Sequence, residues 1–264
     1  MEASSQSSRD VPGTNRGFIP QETLDHPFDV TLVVEDGKEF KVHRRILSEA
    51  STFFEKLLSS DMKESNEGVI RLEMITEVCI TDIFEFIYTG SVEITAEDNA
   101  QDLIVLADYL VLPRLKTIAG NTVAEKLNVS NCVSTYHFAE NYHCEKLLSD
   151  SRNYILSNFS TVAKTEEFLN LSGNEVKMCI SSDEINVSAE EDVFNIILTW
   201  IDHEKNERKE HFAELFREVR LVYISRDFLH SDIVTNDLVN RNEGCMDLVN
   251  DAVKLIDSDR KSVV

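Results

Sequence analysis

A change of hydrophobic period near residue 44 constrains this chain more than any other feature of its sequence. Phe28 to Val34 is a compact apolar run, and Glu39 to Val42 alternates apolar with polar after Asp36-Gly37, which together predict a β-hairpin. From Arg44 onward the spacing becomes three and four: Ile46, Leu47 and Ala50, then Phe53, Phe54, Leu57 and Leu58, the signature of buried helical faces. Val69 to Leu72 returns as a brief strand. Ile80, Ile83, Phe84 and Ile87 then predict a helix that stops at Thr89-Gly90, where glycine suits a C-cap. Leu103 to Leu110 and Leu115 to Leu127 keep helical spacing and are separated by Pro113. The first half therefore mixes α and β.

Beyond Leu127 no strand pattern is convincing. Val133 to Tyr142, Leu147 to Phe159, Phe168 to Ile180, Val193 to His203 and Phe212 to Val219 read as successive amphipathic helices. Ser188-Ala-Glu-Glu191 fits a capping box at the start of the helix containing Trp200, itself a packing residue. A length of 264 residues suits two ordinary domains. The division expected is a mobile, disordered tail over 1–27, an α+β domain over 28–126, an all-α domain over 127–257 and a short tail over 258–264, with the junction at Asn128-Val-Ser130.

Charge narrows the function classes. The net charge of −22 divides evenly, with 12 bases against 23 acids up to residue 126 and 14 against 25 beyond it. Nucleic-acid backbones and anionic membrane surfaces are bound by clustered Lys and Arg, so an acidic balance on both halves argues against either partner. Cys79, Cys132, Cys144, Cys179 and Cys245 are scattered, odd in number and without a CxxC pair, which predicts reduced thiols in cytosol or nucleus. Met1 to Gly17 lacks the apolar stretch of a signal peptide and no later run is long enough to span a bilayer, so a soluble protein is expected.

Catalytic patterns are missing as well: no GxGxxG, Walker loop, GxSxG or HExxH occurs. His137, His143 and Cys144 are the nearest approach to a metal cluster, but their spacing is not a familiar ligand arrangement, and they read as core or surface residues. His43 reads as a buried histidine held by hydrogen bonds. No catalytic residue, cofactor or metal is expected.

Specific strings go further than these generic patterns. Phe28-Asp-Val-Thr-Leu-Val-Val34, Phe40-Lys-Val-His43, Arg45-Ile-Leu47, Ser51-Thr-Phe-Phe54, Ile83-Phe-Glu-Phe-Ile-Tyr-Thr-Gly90 and Ala107-Asp-Tyr-Leu110 with Leu112-Pro113 resemble a BTB/POZ domain. Cys132 to Ala139, Ile185-Asn-Val187, Glu190-Glu-Asp-Val-Phe194, Thr199-Trp200 and Val219-Arg-Leu221 resemble the BACK domain of kelch-like proteins. The resemblance implies a small sheet flanked by helices, then a helical BACK domain, in an adaptor that binds cullin-3 and homodimerises. The first BACK helices would form the three-box that widens the cullin contact.

The same resemblance implies a φ-x-E motif ahead of the mid-domain strand, and Met62-Lys63-Glu64 occupies that place. Met62 would offer a soft apolar knob and Glu64 a register-setting anion. Tyr109 and Leu110 are candidates for an aromatic anchor on the same surface, or for the core. Val133, Phe138 and Tyr142 form a stripe that either lines a cullin groove or is buried internally. The sequence departs from the kelch-like pattern in three places: Pro12, Gly13, Pro20 and Pro27 interrupt the expected opening helix, Val222 follows Arg220-Leu221 where Pro is usual, and no kelch blade repeat is found.

The expected function is thus a non-catalytic, cytoplasmic or nuclear substrate adaptor of a cullin-3 RING ubiquitin ligase, holding an unknown substrate protein. Two rivals remain: a kelch-less scaffold that heterodimerises with kelch-like adaptors, and a BTB transcription regulator, the latter without any zinc-finger spacing. Ser262-Val-Val264 has the form a PDZ domain captures by strand addition.

Overall fold

The predicted hairpin forms because its turn closes locally and its strands are apolar. In the computed structural model, which describes residues 9–10, 27–59, 68–72, 75–94 and 97–261, β2 (Val30–Val34) pairs antiparallel with β3 (Glu39–Val42), with Val30 opposite Val42 and Leu32 opposite Phe40. Gly37 takes φ +78°, the left-handed region open to glycine, and the Gly37 N–H donates to the Val34 carbonyl at 2.9 Å. β4 (Val69–Leu72) adds in parallel on the other side of β2, Leu32 beside Ile70. Flanked on both edges, β2 is buried almost throughout, while β3 alternates buried and exposed. A two-residue strand, β1 (Arg9–Asp10), lies parallel to β3 and completes the order β1-β3-β2-β4. It comes from the N-terminal stretch expected to carry no regular structure.

Helices follow as the spacing predicts: α1 (Arg44–Ala50), α2 (Thr52–Leu57), α3 (Glu77–Thr89), α4 (Glu97–Tyr109) and α5 (Pro113–Ala124). Gly90 caps α3 at φ +76°, donating to the Phe86 carbonyl at 2.7 Å. Pro113 opens α5 where its missing N–H breaks no helical bond. Leu32, Val42, Leu47, Phe54, Ile83 and Phe84 meet in one core, with the Phe40 and Phe84 rings 5.5 Å apart. Burying each such side chain contributes about 1.5–3 kcal/mol. His43 is buried as expected: its N–H donates to the Tyr88 hydroxyl at 3.0 Å, and its Nδ1 lies 3.0 Å from the same oxygen. Burial, above all, pushes the Tyr88 phenol up to about 12.

The remainder is helical: α6 (Cys132–Asn141), α7 (Glu145–Ser157), α8 (Phe159–Val162), α9 (Glu166–Leu169), α10 (Gly173–Ile180), α11 (Glu190–His203), α12 (Lys205–Arg208), α13 (Phe212–Phe216), α14 (Arg226–Phe228), α15 (Asp237–Asn240) and α16 (Glu243–Lys261). Contacts group the chain into two units, residues up to Lys126 with Phe138–Leu148, and Leu127–His137 with Ser149 onward. The helix α6 therefore serves two cores: Cys132 and Val133 belong to the second, Ala139 to the first.

Two helical expectations need correction. The single helix expected over Phe168 to Ile180 is two, because Ser172 and Glu175 form a capping box: the Ser172 N–H donates to Glu175 Oε2 at 2.8 Å and Ser172 Oγ accepts from the Glu175 N–H at 3.4 Å. The cap expected at Ser188 lies one residue later, at Ala189, whose N–H donates to Asp192 Oδ2 at 3.3 Å. Glu191 is committed elsewhere, accepting from the Ser225 N–H at 2.8 Å, as Glu190 accepts from the Arg220 N–H at 2.8 Å. Trp200 packs as expected, its Nε1 donating to the Leu171 carbonyl at 2.9 Å under the Arg208 guanidinium, 4.4 Å from the ring centroid.

Candidate interaction surface

The first unit presents a surface made by the ends of two helices that finish in the same way. At the end of α4 the Leu112 N–H donates to the Ala107 carbonyl at 2.7 Å and the Val111 N–H to the Asp108 carbonyl at 3.1 Å. At the end of α6 the Cys144 N–H donates to the Ala139 carbonyl at 2.8 Å and the His143 N–H to the Glu140 carbonyl at 3.1 Å. Both are Schellman motifs, which need a left-handed residue just past the helix and usually take glycine there. Here the left-handed residues are Val111, φ +53°, and His143, φ +51°. A left-handed L-residue costs about 1–2 kcal/mol, and a β-branched one fits that conformation worst. Burial of Leu110 and Leu112 on either side of Val111 holds the turn in place.

This turn separates two adjacent candidates. Tyr109 is 50% exposed, whereas Leu110 is 0% exposed and lies in the core, so Leu110 has no side-chain surface to offer a partner. Val111 follows at 48% exposed. The Ser51 hydroxyl donates to the Leu110 carbonyl and accepts from the Phe53 N–H at 3.1 Å, capping α2 and fastening it to the end of α4. Phe53 is thereby set beside Tyr109, ring centroids 5.0 Å apart. The result is a patch of half-buried Phe53 with exposed Tyr109 and Val111.

The stripe Val133, Phe138 and Tyr142 is divided by the fold. Val133 is buried in the second core and is unavailable. Phe138 and Tyr142 meet with ring centroids 4.7 Å apart, tilted at 42°, and pack half-buried against the first core. Met62 and Glu64 lie outside the described residues, as does Ser262-Val-Val264.

Between α5 and the turn into α7 lies a cavity of about 370 Å³ lined by Pro113, Lys116, Gly120, Asn121, His143 and Lys146, among others. Lys116 pairs with Asp108 at 2.7 Å, and Lys146 donates to Asn121 Oδ1 at 2.6 Å. Burial pushes the Cys144 thiol up, Lys116 opposing and Asp108 adding to the rise. His137, by contrast, bonds Glu175 at 2.6 Å in the second unit. Among the described residues no cluster of His, Cys, Asp and Glu is arranged to hold a metal, and no helix is long and apolar enough to cross a membrane.

Phe53, Val111 and the cavity were not found by sequence reasoning. Phe53 looked like any core aromatic, and nothing in a valine announces a left-handed backbone.

Comparison with known proteins bears on both halves. The BTB/POZ domain family matches residues 18–127, and the family described as BTB And C-terminal Kelch, BACK, matches residues 132–233. Human Kelch-like protein 17 is 33% identical over 226 residues, covering 86% of this chain and 35% of that protein. Human Kelch-like protein 3 is 34% identical over 226 residues, 86% of this chain and 38% of the relative. Kelch-like protein 40 of Xenopus laevis is 31% identical over 224 residues, 84% of this chain and 36% of the relative. The chain thus spans little more than a third of the length of these relatives. The BTB domain of human Gigaxonin matches 38% of this chain and 80% of its own at 30% identity, with a TM-score of 0.33.

Proposed function

The chain belongs to the BTB–BACK proteins related to the kelch-like proteins, and from that premise we propose that it is a non-catalytic adaptor that docks cullin-3 on its α+β unit and so recruits a RING ubiquitin ligase. The observation that carries this reading is the exposed Tyr109–Val111 turn. An aromatic ring and a branched aliphatic side chain stand in solvent on a backbone whose strain is maintained by buried neighbours. Strained, over-determined turns concentrate at sites of function. Aromatic anchors rigidly set on a helix end suit a protein groove, since they lose little freedom on binding.

Tyr109 with Phe53, and Phe138 with Tyr142, are the contact residues of this proposal, joined by Met62 and Glu64 from the sequence motif. Self-association through the BTB domain, a cytoplasmic place of work and an unidentified substrate protein complete the reading. The acidic balance of both halves supports a protein partner over nucleic acid.

Binding of the purified chain to the cullin-3 N-terminal region, measured by calorimetry, tests it. A 1:1 complex weakened about tenfold or more by Met62→Asp and by Glu64→Ala is the expected result, a loss of about 1.4 kcal/mol each. Absence of binding, with heterodimers formed instead with kelch-like proteins, would favour the scaffold reading and remove this one.

A further inference from the structure

The cavity beside α5 has a floor that packing does not require. Gly120 lies buried within this helix, yet a Cβ built there meets only the Leu147 Cβ, at 4.0 Å. Alanine would fit and would favour the helix, because mid-helix glycine carries an entropic penalty. The effect of glycine here is to leave the cavity deep.

Its charged lining is two lysines, Lys116 and Lys146, against one glutamate, Glu145, in a chain of net charge −22. Lys116 is already paired with Asp108, but Lys146 reaches only the Asn121 amide oxygen and makes no ion pair among the described residues. His143 is held on the rim by its left-handed turn. Glu145 also lines the opening, so the local field favours a monoanion over a doubly charged phosphate. Pro113, on the wall, follows Val111 by two residues, so the cavity borders the exposed turn.

We propose that this cavity is a carboxylate pocket, receiving an Asp or Glu side chain of the protein that docks on the Tyr109 surface, with Lys146 supplying the charge and Gly120 the room. The assignment rests on the docking reading above and adds the chemistry of the partner to it.

Titration of the isotope-labelled full chain with N-acetyl-glutamate and N-acetyl-glutamine, each with its α-carboxyl capped as the methylamide so that only the glutamate carries a carboxylate, and with inorganic phosphate, read from backbone amide shifts, tests the pocket directly. N-acetyl-glutamate should shift Gly120, His143 and Cys144 saturably, while the other two should not. Lys146→Met and Gly120→Leu should abolish the shifts with the rest of the spectrum intact, and Lys146→Met should weaken the cullin-3 N-terminal region about tenfold. Equal shifts from the glutamine analogue, or none from N-acetyl-glutamate, overturn the pocket; if Tyr109→Ala still weakens cullin binding, the docking reading survives that loss. Saturable N-acetyl-glutamate shifts in a chain that binds no cullin uphold the carboxylate site and remove the docking reading.

Discussion

Ser51 and Leu110, fifty-nine residues apart, are joined by a hydrogen bond from the serine hydroxyl to the leucine carbonyl. The same oxygen caps α2, so one small side chain sets both the start of that helix and the end of α4. Ser51→Ala removes the cap and leaves the Leu110 carbonyl short of a partner in a buried setting. The expected loss is about 1–2 kcal/mol of stability, seen as a lower urea midpoint with unchanged slope. A midpoint equal to wild type would show that the tether contributes nothing.

Neighbouring substitutions at the end of α4 should separate binding from stability. Tyr109→Ala trims a half-exposed ring and should leave the melting temperature nearly unchanged while weakening cullin binding by about 2 kcal/mol. Leu110→Ala empties a core position and should destabilise by about 2–5 kcal/mol. Equal effects of the two on stability would contradict the burial difference.

At Val111, glycine relieves the left-handed strain but frees the unfolded chain as well. With a strain of about 1–2 kcal/mol against a glycine penalty of about 0.5–1, Val111→Gly should stabilise by somewhat under 1 kcal/mol. The same change removes an exposed apolar contact and should reduce partner affinity. A variant both more stable and weaker in binding is the outcome calorimetry and denaturation should report together.

Tyr88 gives a pH dependence of known sign. Burial raises its phenol to about 12 in the folded chain, against about 10 for an unperturbed tyrosine. The folded state therefore holds this proton more tightly, and the stability it supplies is complete below about pH 10 and is lost as pH rises toward 12. The whole effect is on the order of 2 kcal/mol. Denaturation midpoints should fall through this window in wild type and fall less in Tyr88→Phe, and phenolate absorbance should show one of the six tyrosines titrating late.

Local patterns carried much of the architecture into view. The hairpin, the Val69–Leu72 strand, the Gly90 cap and the Pro113 break each depend on a few adjacent residues, and each lies where its residues predict. The α9–α10 break was legible too, in Ser172-Gly-Asn-Glu175, but helical spacing continues across it and hides the stop. The cap at Ala189 was not, because Glu190 and Glu191 are drawn to Arg220 and Ser225, thirty and thirty-four positions along the chain.

By itself, then, the sequence determined an α+β half followed by a helical half, since hydrophobic period and turn chemistry are properties of short segments. Only the tertiary structure decided that Leu110 is core while Tyr109 is surface, that Val133 leaves the stripe shared with Phe138 and Tyr142, and that Val111 turns left-handed. Those outcomes follow from which distant side chains arrive against each helix, and burial energy from such contacts outweighs the backbone preference of any single residue.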